Sequence, residues 1–252
     1  MTYDIDRLAR QLVRARREHR QLGADETGEG PPSADDAYRV QDRVAEALGW
    51  FRGAHVSTWK VGAAARDATP SATPLPLEGV VASPAQFDAA HFHGIGIEAE
   101  VAFRFASAPP VSDRTEDVLA AVGEFVVTIE VVDARLADAA SAPPMLKLAD
   151  AQMHGALVVG SGVPRRHVDW ATLPVTVTRN GVTIRDGRGG HPLVDPTGLL
   201  PWFVRHVSAR SGGVRAGDLV TAGTWVGILP ARAGDTIDAA FDGIGRAVVR
   251  FV

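Results

Sequence analysis

Gly94-Ile-Gly-Ile-Glu-Ala-Glu-Val-Ala-Phe-Arg-Phe105 is the stretch on which the reading of the fold turns. Ile95, Ile97, Ala99, Val101, Phe103 and Phe105 alternate with the residues between them, the period of a strand with one face in a core. Glu98 and Glu100 then share the opposite face, about 7 Å apart given the rise per residue. Two carboxylates so placed repel unless something neutralises them. Two readings stay open at this point. The glutamates are solvated on the wet face of an edge strand, or they are ligands for a hard divalent cation such as Mg²⁺, which takes a few carboxylates and keeps positions for water and substrate.

The next apolar run, Glu124-Phe-Val-Val-Thr-Ile-Glu-Val-Val-Asp133, suits a buried central strand. Glu130 sits in its middle, where a carboxylate must be paired or metal-bound. A buried ion pair with Arg135 and a ligand role are equally open accounts of it.

At 252 residues the chain is one large domain or two small ones, and either buries a full core. The net charge of −4 gives no field toward nucleic acid or anionic membrane, and no apolar run is long enough to span a bilayer. There is no cysteine, so disulfides and thiolate metal sites are excluded. The first residues lack the basic and apolar regions of a signal peptide. The expectation is a soluble cytoplasmic protein with neither a nucleic-acid nor a membrane partner. The basic residues are arginine except for Lys60 and Lys147. A chain so biased keeps lysine where a guanidinium cannot serve, a hint of proton chemistry at one of the two.

Toward the N-terminus, residues 4–20 read as a helix with Ile5, Leu8, Ala9, Leu12 and Val13 on one stripe. A second helix starts at Ser33, with Asp36 completing a capping box, and ends at Gly49. These helices form an N-terminal flank. Ser57-Thr-Trp-Lys-Val-Gly62 is strand-like, and the proline-rich residues 66–84 read as a surface loop covering a site. His91 and His93 lack a third ligand at zinc spacing.

Toward the C-terminus, a short helix capped at Thr115 follows the first strand. Lys147, Asp150, Gln152 and His154 crowd the start of another strand. Val175 to Ile184 is a hairpin turning at Asn180-Gly181. The glycine-rich Asp186–Pro192 segment has no P-loop lysine. A helix spans 198–211, and Ala216-Gly-Asp218 and Ala233-Gly-Asp235 each turn into a strand. With no repeat and no alternating βα pattern, the architecture is α+β with a curled, mixed, mostly antiparallel sheet.

Several stretches match one family in order: Trp59-Lys-Val-Gly62, Ile97-Glu-Ala-Glu-Val-Ala-Phe103, Ile129-Glu-Val-Val-Asp-Ala-Arg135, Leu148-Ala-Asp150 with His154-Gly-Ala-Leu-Val-Val-Gly160, Gly190-His-Pro-Leu193, Ala222-Gly-Thr224, and the closing Phe241-Asp-Gly-Ile-Gly. Together they resemble the 2-keto-4-pentenoate hydratase and 4-oxalocrotonate decarboxylase branch of the fumarylacetoacetate hydrolase superfamily. The resemblance implies a single domain over 1–252, with 1–50 as helical flank and 51–252 as a β-roll catalytic body, in a homo-oligomer. It implies one Mg²⁺ or Mn²⁺ held by Glu98, Glu100 and Glu130, and places the family lysine on Lys60 and the family acid on Asp150.

The chemistry it implies is enolisation of a small 2-oxo acid stabilised by the cation, followed by hydration of a 2-hydroxy-2,4-dienoate. A decarboxylase of an oxalocrotonate-like diacid would share that electron sink, with Arg66 as the cation for the distal carboxylate. Three departures stand out. Ala151 replaces a common asparagine, Trp225 stands where small or hydroxylated residues are frequent, and the His-x-x-Glu dyad of the hydrolytic branch is absent after Lys60. Trp225 would narrow the pocket or stack on a flat substrate, and with His191 and Thr224 it makes up the substrate-binding candidates. Ala151 and Trp225 also leave open a homologue redirected to a larger natural-product intermediate, or a small-molecule binder without catalysis.

Overall fold

The computed structural model describes residues 3–252. Its helices are α1 (Ile5–Arg17), α2 (Ala24–Thr27), α3 (Ala34–Leu48), α4 (Thr115–Leu119), α5 (Pro144–Ala149) and α6 (Leu200–Ser211). Its strands are β1 (Thr58–Gly62), β2 (Ser71–Pro74), β3 (Val80–Ala82), β4 (Ala85–Phe87), β5 (Ile95–Phe105), β6 (Val122–Val132), β7 (His154–Pro164), β8 (Pro174–Arg179), β9 (Val182–Arg188), β10 (Leu219–Thr224), β11 (Leu229–Ala231), β12 (Thr236–Phe241) and β13 (Gly245–Phe251). One curled sheet runs β2-β1-β10-β5-β6-β7-β3, with β11 pairing the start of β5 beyond the reach of β10. A second runs β4-β13-β12-β8-β9. Pairing is antiparallel except for β1–β10, β3–β7 and β4–β13. The α+β, mixed, mostly antiparallel architecture read from the sequence is the one observed.

Strands β5 and β6 form the spine. Ile97, Ala99, Val101, Phe103 and Phe105 join Phe125, Val127, Ile129 and Val131 in the main core. Val175, Val177, Ile237, Ala239, Val249 and Phe251 of the second sheet belong to the same core. Each spine strand thus gives its odd-numbered residues to the core and leaves Glu98, Glu100, Thr128 and Glu130 on the other face. Phe103 and Phe125 meet edge to face at 5.6 Å, and Phe125 meets Trp170 at 5.2 Å, both favourable quadrupole geometries. The backbones of β7 and β13 pack so closely that a Cβ on Gly160 would lie 2.2 Å from the Arg246 carbonyl oxygen. Only glycine fits there.

The helical flank has its own apolar cluster, in which the α1 stripe meets Val40 and Val44 of α3 and Leu146, Leu148 and Ala149 of α5. Ser33 caps α3 by accepting from the Asp36 amide at 3.1 Å, and Gly49 ends it at φ 64°. Because α5 belongs to this cluster and runs directly into the turn before β7, the flank is tied to the face that carries the glutamates.

Two local expectations are revised. Residues 66–84 are not an irregular loop, since β2 and β3 form on either side of a 3₁₀ turn at Leu77–Gly79. Pro74 ends β2 at the sheet edge, where a missing N–H breaks no ladder. The cap of α4 is Arg114, one residue before Thr115. The hairpin turn stands as read, with Asn180 and Gly181 at φ 54° and 78°. Phe103→Ala empties the middle of the aromatic stack and is expected to cost about 3–5 kcal/mol in urea unfolding, with the far-UV spectrum of the folded state retained.

Candidate active site

Register brings the three glutamates together. Glu98 pairs with Glu130 across β5 and β6, and Glu100 stands two residues along the same face. One carboxylate oxygen from each lies within 4.8 Å of the other two. Glu100 and Glu130 are fully buried, and Glu98 is the more accessible of the three. The Glu100 Oε2 accepts from the Thr221 hydroxyl and from the Gly223 amide at 3.2 Å. Thr221 is in turn 2.9 Å from the Thr128 hydroxyl. The Glu130 Oε1 accepts from Lys60 Nζ at 2.6 Å and from His154 Nδ1 at 3.0 Å, while its Oε2 is buried without a partner.

Two breaks in regular backbone shape this corner. A bulge in β10 shifts the register between Thr221 and Thr224, and at Gly223 (φ 95°) it turns an amide toward Glu100. The second break precedes β7, where Ala151, Gln152 and Met153 sit at φ 53°, 53° and 60°. Left-handed backbone costs a non-glycine residue roughly 1 kcal/mol or more. This turn aims the Gln152 carbonyl at Lys60 Nζ, 3.3 Å away. Lys60 itself comes from β1, whose parallel pairing with β10 sets it beside Thr221, three strands across the sheet from Glu130.

The charges do not balance. Burial pushes the Glu98 carboxyl up to about 7, with Glu130 adding to the rise and Lys60 opposing it. Burial again dominates at Glu100, which Glu130 and Glu98 help to push up to about 8. Burial works against the Lys60 ammonium, but Glu130, Glu98 and Glu100 outweigh it and hold Lys60 above its ordinary value. The lysine therefore does not have the lowered pKa of a desolvated base in the metal-free chain. Burial also opposes charge on Glu130, yet Lys60 and His154 hold that carboxyl below its usual range. Three carboxylates that each bring one hard oxygen into a single cation's reach fit a hard divalent ion better than a soft one, and Glu130 also keeps a buried oxygen without a partner.

The other expected residues lie elsewhere. Asp150 commits its oxygens to Arg135 (Nε 2.7 Å, amide 2.9 Å) and Arg16 (3.2 Å), and so anchors the left-handed turn. Arg135 accordingly pairs with Asp150 and Asp133, not with Glu130. Trp225 is buried on the opposite face of β5, against Trp170, His191 and Phe241, in the main core. His191 donates from Nε2 to the Ala222 carbonyl at 2.8 Å and accepts the Leu193 amide at Nδ1. It braces the bulge from behind, and burial lowers its pKa. Thr224 turns its hydroxyl into the 224–227 turn, where it accepts the Val226 amide at 3.2 Å. Thr221, Thr128, the Gln152 carbonyl and the role of His154 were missed from sequence, since none carries a spacing signal.

Fold and site together define a curled mixed-sheet protein with a buried centre of three carboxylates and one lysine. Residues 54–252 match the model of the fumarylacetoacetate (FAA) hydrolase C-terminal family, and the chain belongs to that family. It is 27% identical over 161 residues to the 2-keto-4-pentenoate hydratase of Paraburkholderia xenovorans (strain LB400), covering 63% of this chain and 60% of that protein. It is 27% identical over 158 residues to the 4-oxalocrotonate decarboxylase of Pseudomonas putida, covering 62% and 60%. The chain thus spans about 60% of the length of the curated relatives it matches. The solved 4-oxalocrotonate decarboxylase from Pseudomonas putida G7, complexed with magnesium and adipate, superposes at TM-score 0.85 and 23% identity over 100% of this chain and 99% of that one. Fumarylpyruvate hydrolase from Pseudomonas aeruginosa, in complex with Mn²⁺ and pyruvate, reaches 0.58 at 18% identity over 77% and 88%. These structures share the fold.

The raised carboxyls set a pH dependence. An unfolded glutamate releases its proton near 4.5, whereas Glu98 and Glu100 keep theirs to about 7 and about 8. Across that window the folded state binds more protons, so stability falls as pH rises. The metal-free chain is expected to lose melting temperature as pH rises from about 5 to about 8 and to level off above that, and Glu100→Gln is expected to flatten the slope in differential scanning fluorimetry.

Proposed function

We propose that the chain is a divalent-metal-dependent hydratase acting on a 2-hydroxy-2,4-dienoate or the corresponding 2-oxo acid. The observation that carries this reading is the meeting of Glu98, Glu100 and Glu130 beside Lys60 in a buried corner. The three glutamates would hold Mg²⁺ or Mn²⁺, and the ion, when bound, supplies the Lewis acidity that favours enolisation of a 2-oxo acid. The remaining steps fall to side chains. From a 2-hydroxy-2,4-dienoate, C5 gains a proton as the 2-hydroxyl loses one, which gives the 2-oxo-3-enoate; water then adds with its oxygen to C4 and a proton to C3, so protons must be delivered at two carbons and taken from the hydroxyl and from water. Lys60 Nζ is the group placed to do this, being buried and held by Glu130 Oε1 and the Gln152 carbonyl. Thr221 and the Gly223 amide keep Glu100 aimed into the corner. The names of the relatives, among them a 2-hydroxyhexa-2,4-dienoate hydratase of Comamonas testosteroni, support this substrate class.

Decarboxylation of a 2-oxo diacid is the second reading. Arg66, on the loop that leaves β1 just after Lys60, is exposed and held only through Nε to the Leu193 carbonyl at 3.2 Å, so its guanidinium is available to a distal carboxylate. A cytoplasmic setting and a homo-oligomer belong to the same proposal. Among the described residues no helix is long and apolar enough to cross a membrane.

With Mg²⁺ and 2-hydroxypenta-2,4-dienoate, turnover is expected to be visible as loss of the dienoate's ultraviolet absorbance. Lys60→Met is expected to lower kcat by about 10²–10⁴ while metal binding persists. Release of carbon dioxide from an oxalocrotonate-like diacid, with no dienoate turnover by the folded, metal-loaded protein, would replace the first reading with the second.

A further inference from the structure

His154 is the buried group at this corner that the proposed chemistry does not use. It opens β7, is 1% exposed, and is set beside the spine by the pairing of His154 with Val132. Its Nδ1 lies 3.0 Å from Glu130 Oε1, the oxygen that Lys60 Nζ also reaches. An ionised carboxylate oxygen only accepts, so Nδ1 is the protonated ring nitrogen. Its Nε2 is buried without a partner, against Gly79, where a Cβ would come within 3.7 Å. With two donors on Oε1, Glu130 cannot rotate without losing both. Oε2 is the atom left without a partner. A ligand carboxylate whose other oxygen is fixed by an N–H donor is oriented before its ion arrives.

We propose that His154 is a positioning residue that, as the Nδ1–H tautomer, shares Glu130 Oε1 with Lys60 and so presents Oε2 alone to the cation, making Glu130 a one-oxygen ligand. This rests on the reading of the three glutamates as a metal site. Lys60 alone does not secure this, because an ammonium on a flexible stem leaves the carboxylate free to turn about its own axis. The ring, fixed at the start of a strand, removes that freedom.

The test uses the full chain and Mn²⁺ as probe, by titration calorimetry. His154→Phe is expected to weaken Mn²⁺ binding about 10–100-fold. His154→Asn keeps a donor in the Nδ1 position and is expected to restore binding to within about threefold of wild type. Equal Mn²⁺ affinity in folded His154→Phe and wild type overturns the proposal, and so does failure of His154→Asn to rescue. Because His154→Phe could fold poorly, ¹⁵N chemical shifts of wild-type histidines give an independent readout. A protonated Nδ1 and bare Nε2 on His154 are expected, and the opposite tautomer overturns the proposal whatever the variants do. If wild type itself binds no Mn²⁺, the metal-site reading fails first and takes this one with it. If wild type binds and only His154→Phe is unaffected, the metal site stands and the role of His154 does not.

Discussion

Three carboxylates share a corner of the sheet that holds a single ammonium, and the surrounding structure is shaped by that imbalance. Two like charges about 4 Å apart repel by about 4 kcal/mol even at an effective dielectric of 20. Lys60 answers one of the three, Glu130, which it holds ionised. Glu98 and Glu100 answer by keeping their protons to about 7 and about 8. A fold under no other demand would fill such a corner with apolar side chains, since buried ionic groups seldom stabilise more than a well-packed core. Keeping this arrangement makes sense where a further positive charge completes it.

The places where the chain leaves ideal geometry lie around the same corner. The β10 bulge at Gly223 supplies an amide to Glu100, and His191 holds the bulge through the Ala222 carbonyl. The left-handed turn at Ala151–Met153 supplies a carbonyl to Lys60, and Asp150 pins that turn through Arg135 and Arg16. Arg16 belongs to α1, so the helical flank takes part in holding the turn. Backbone strain of this kind persists where its surroundings over-determine it. Asp150, His191 and Trp225 therefore shape the corner at one remove.

Strand period makes much of this legible in the sequence itself. Alternation from Ile95 to Phe105 put Glu98 and Glu100 on one face, and the rarity of lysine pointed to Lys60 or Lys147, between which the resemblance chose Lys60; Lys147 lies at the surface and reaches only the Ala140 carbonyl. Parity also explains the misses. Glu130 and Arg135 are an odd number apart, with β6 ending at Val132 between them, so closeness in sequence did not become contact. Simple alternation from Thr221 would bring Trp225 to the glutamate face. The bulge resets the count, Thr224 pairs with Glu100, and Trp225 falls into the core. The partnership of His154 and Glu130 depends on how β6 pairs with β7, which no local pattern states.

The central claim is that Glu98, Glu100 and Glu130 enclose one divalent ion. An anomalous-difference map from crystals soaked in Mn²⁺ tests it most directly. One strong peak within coordination distance of all three carboxylates is the expected result. A peak elsewhere, or three glutamates with no peak between them at saturating Mn²⁺, would contradict it.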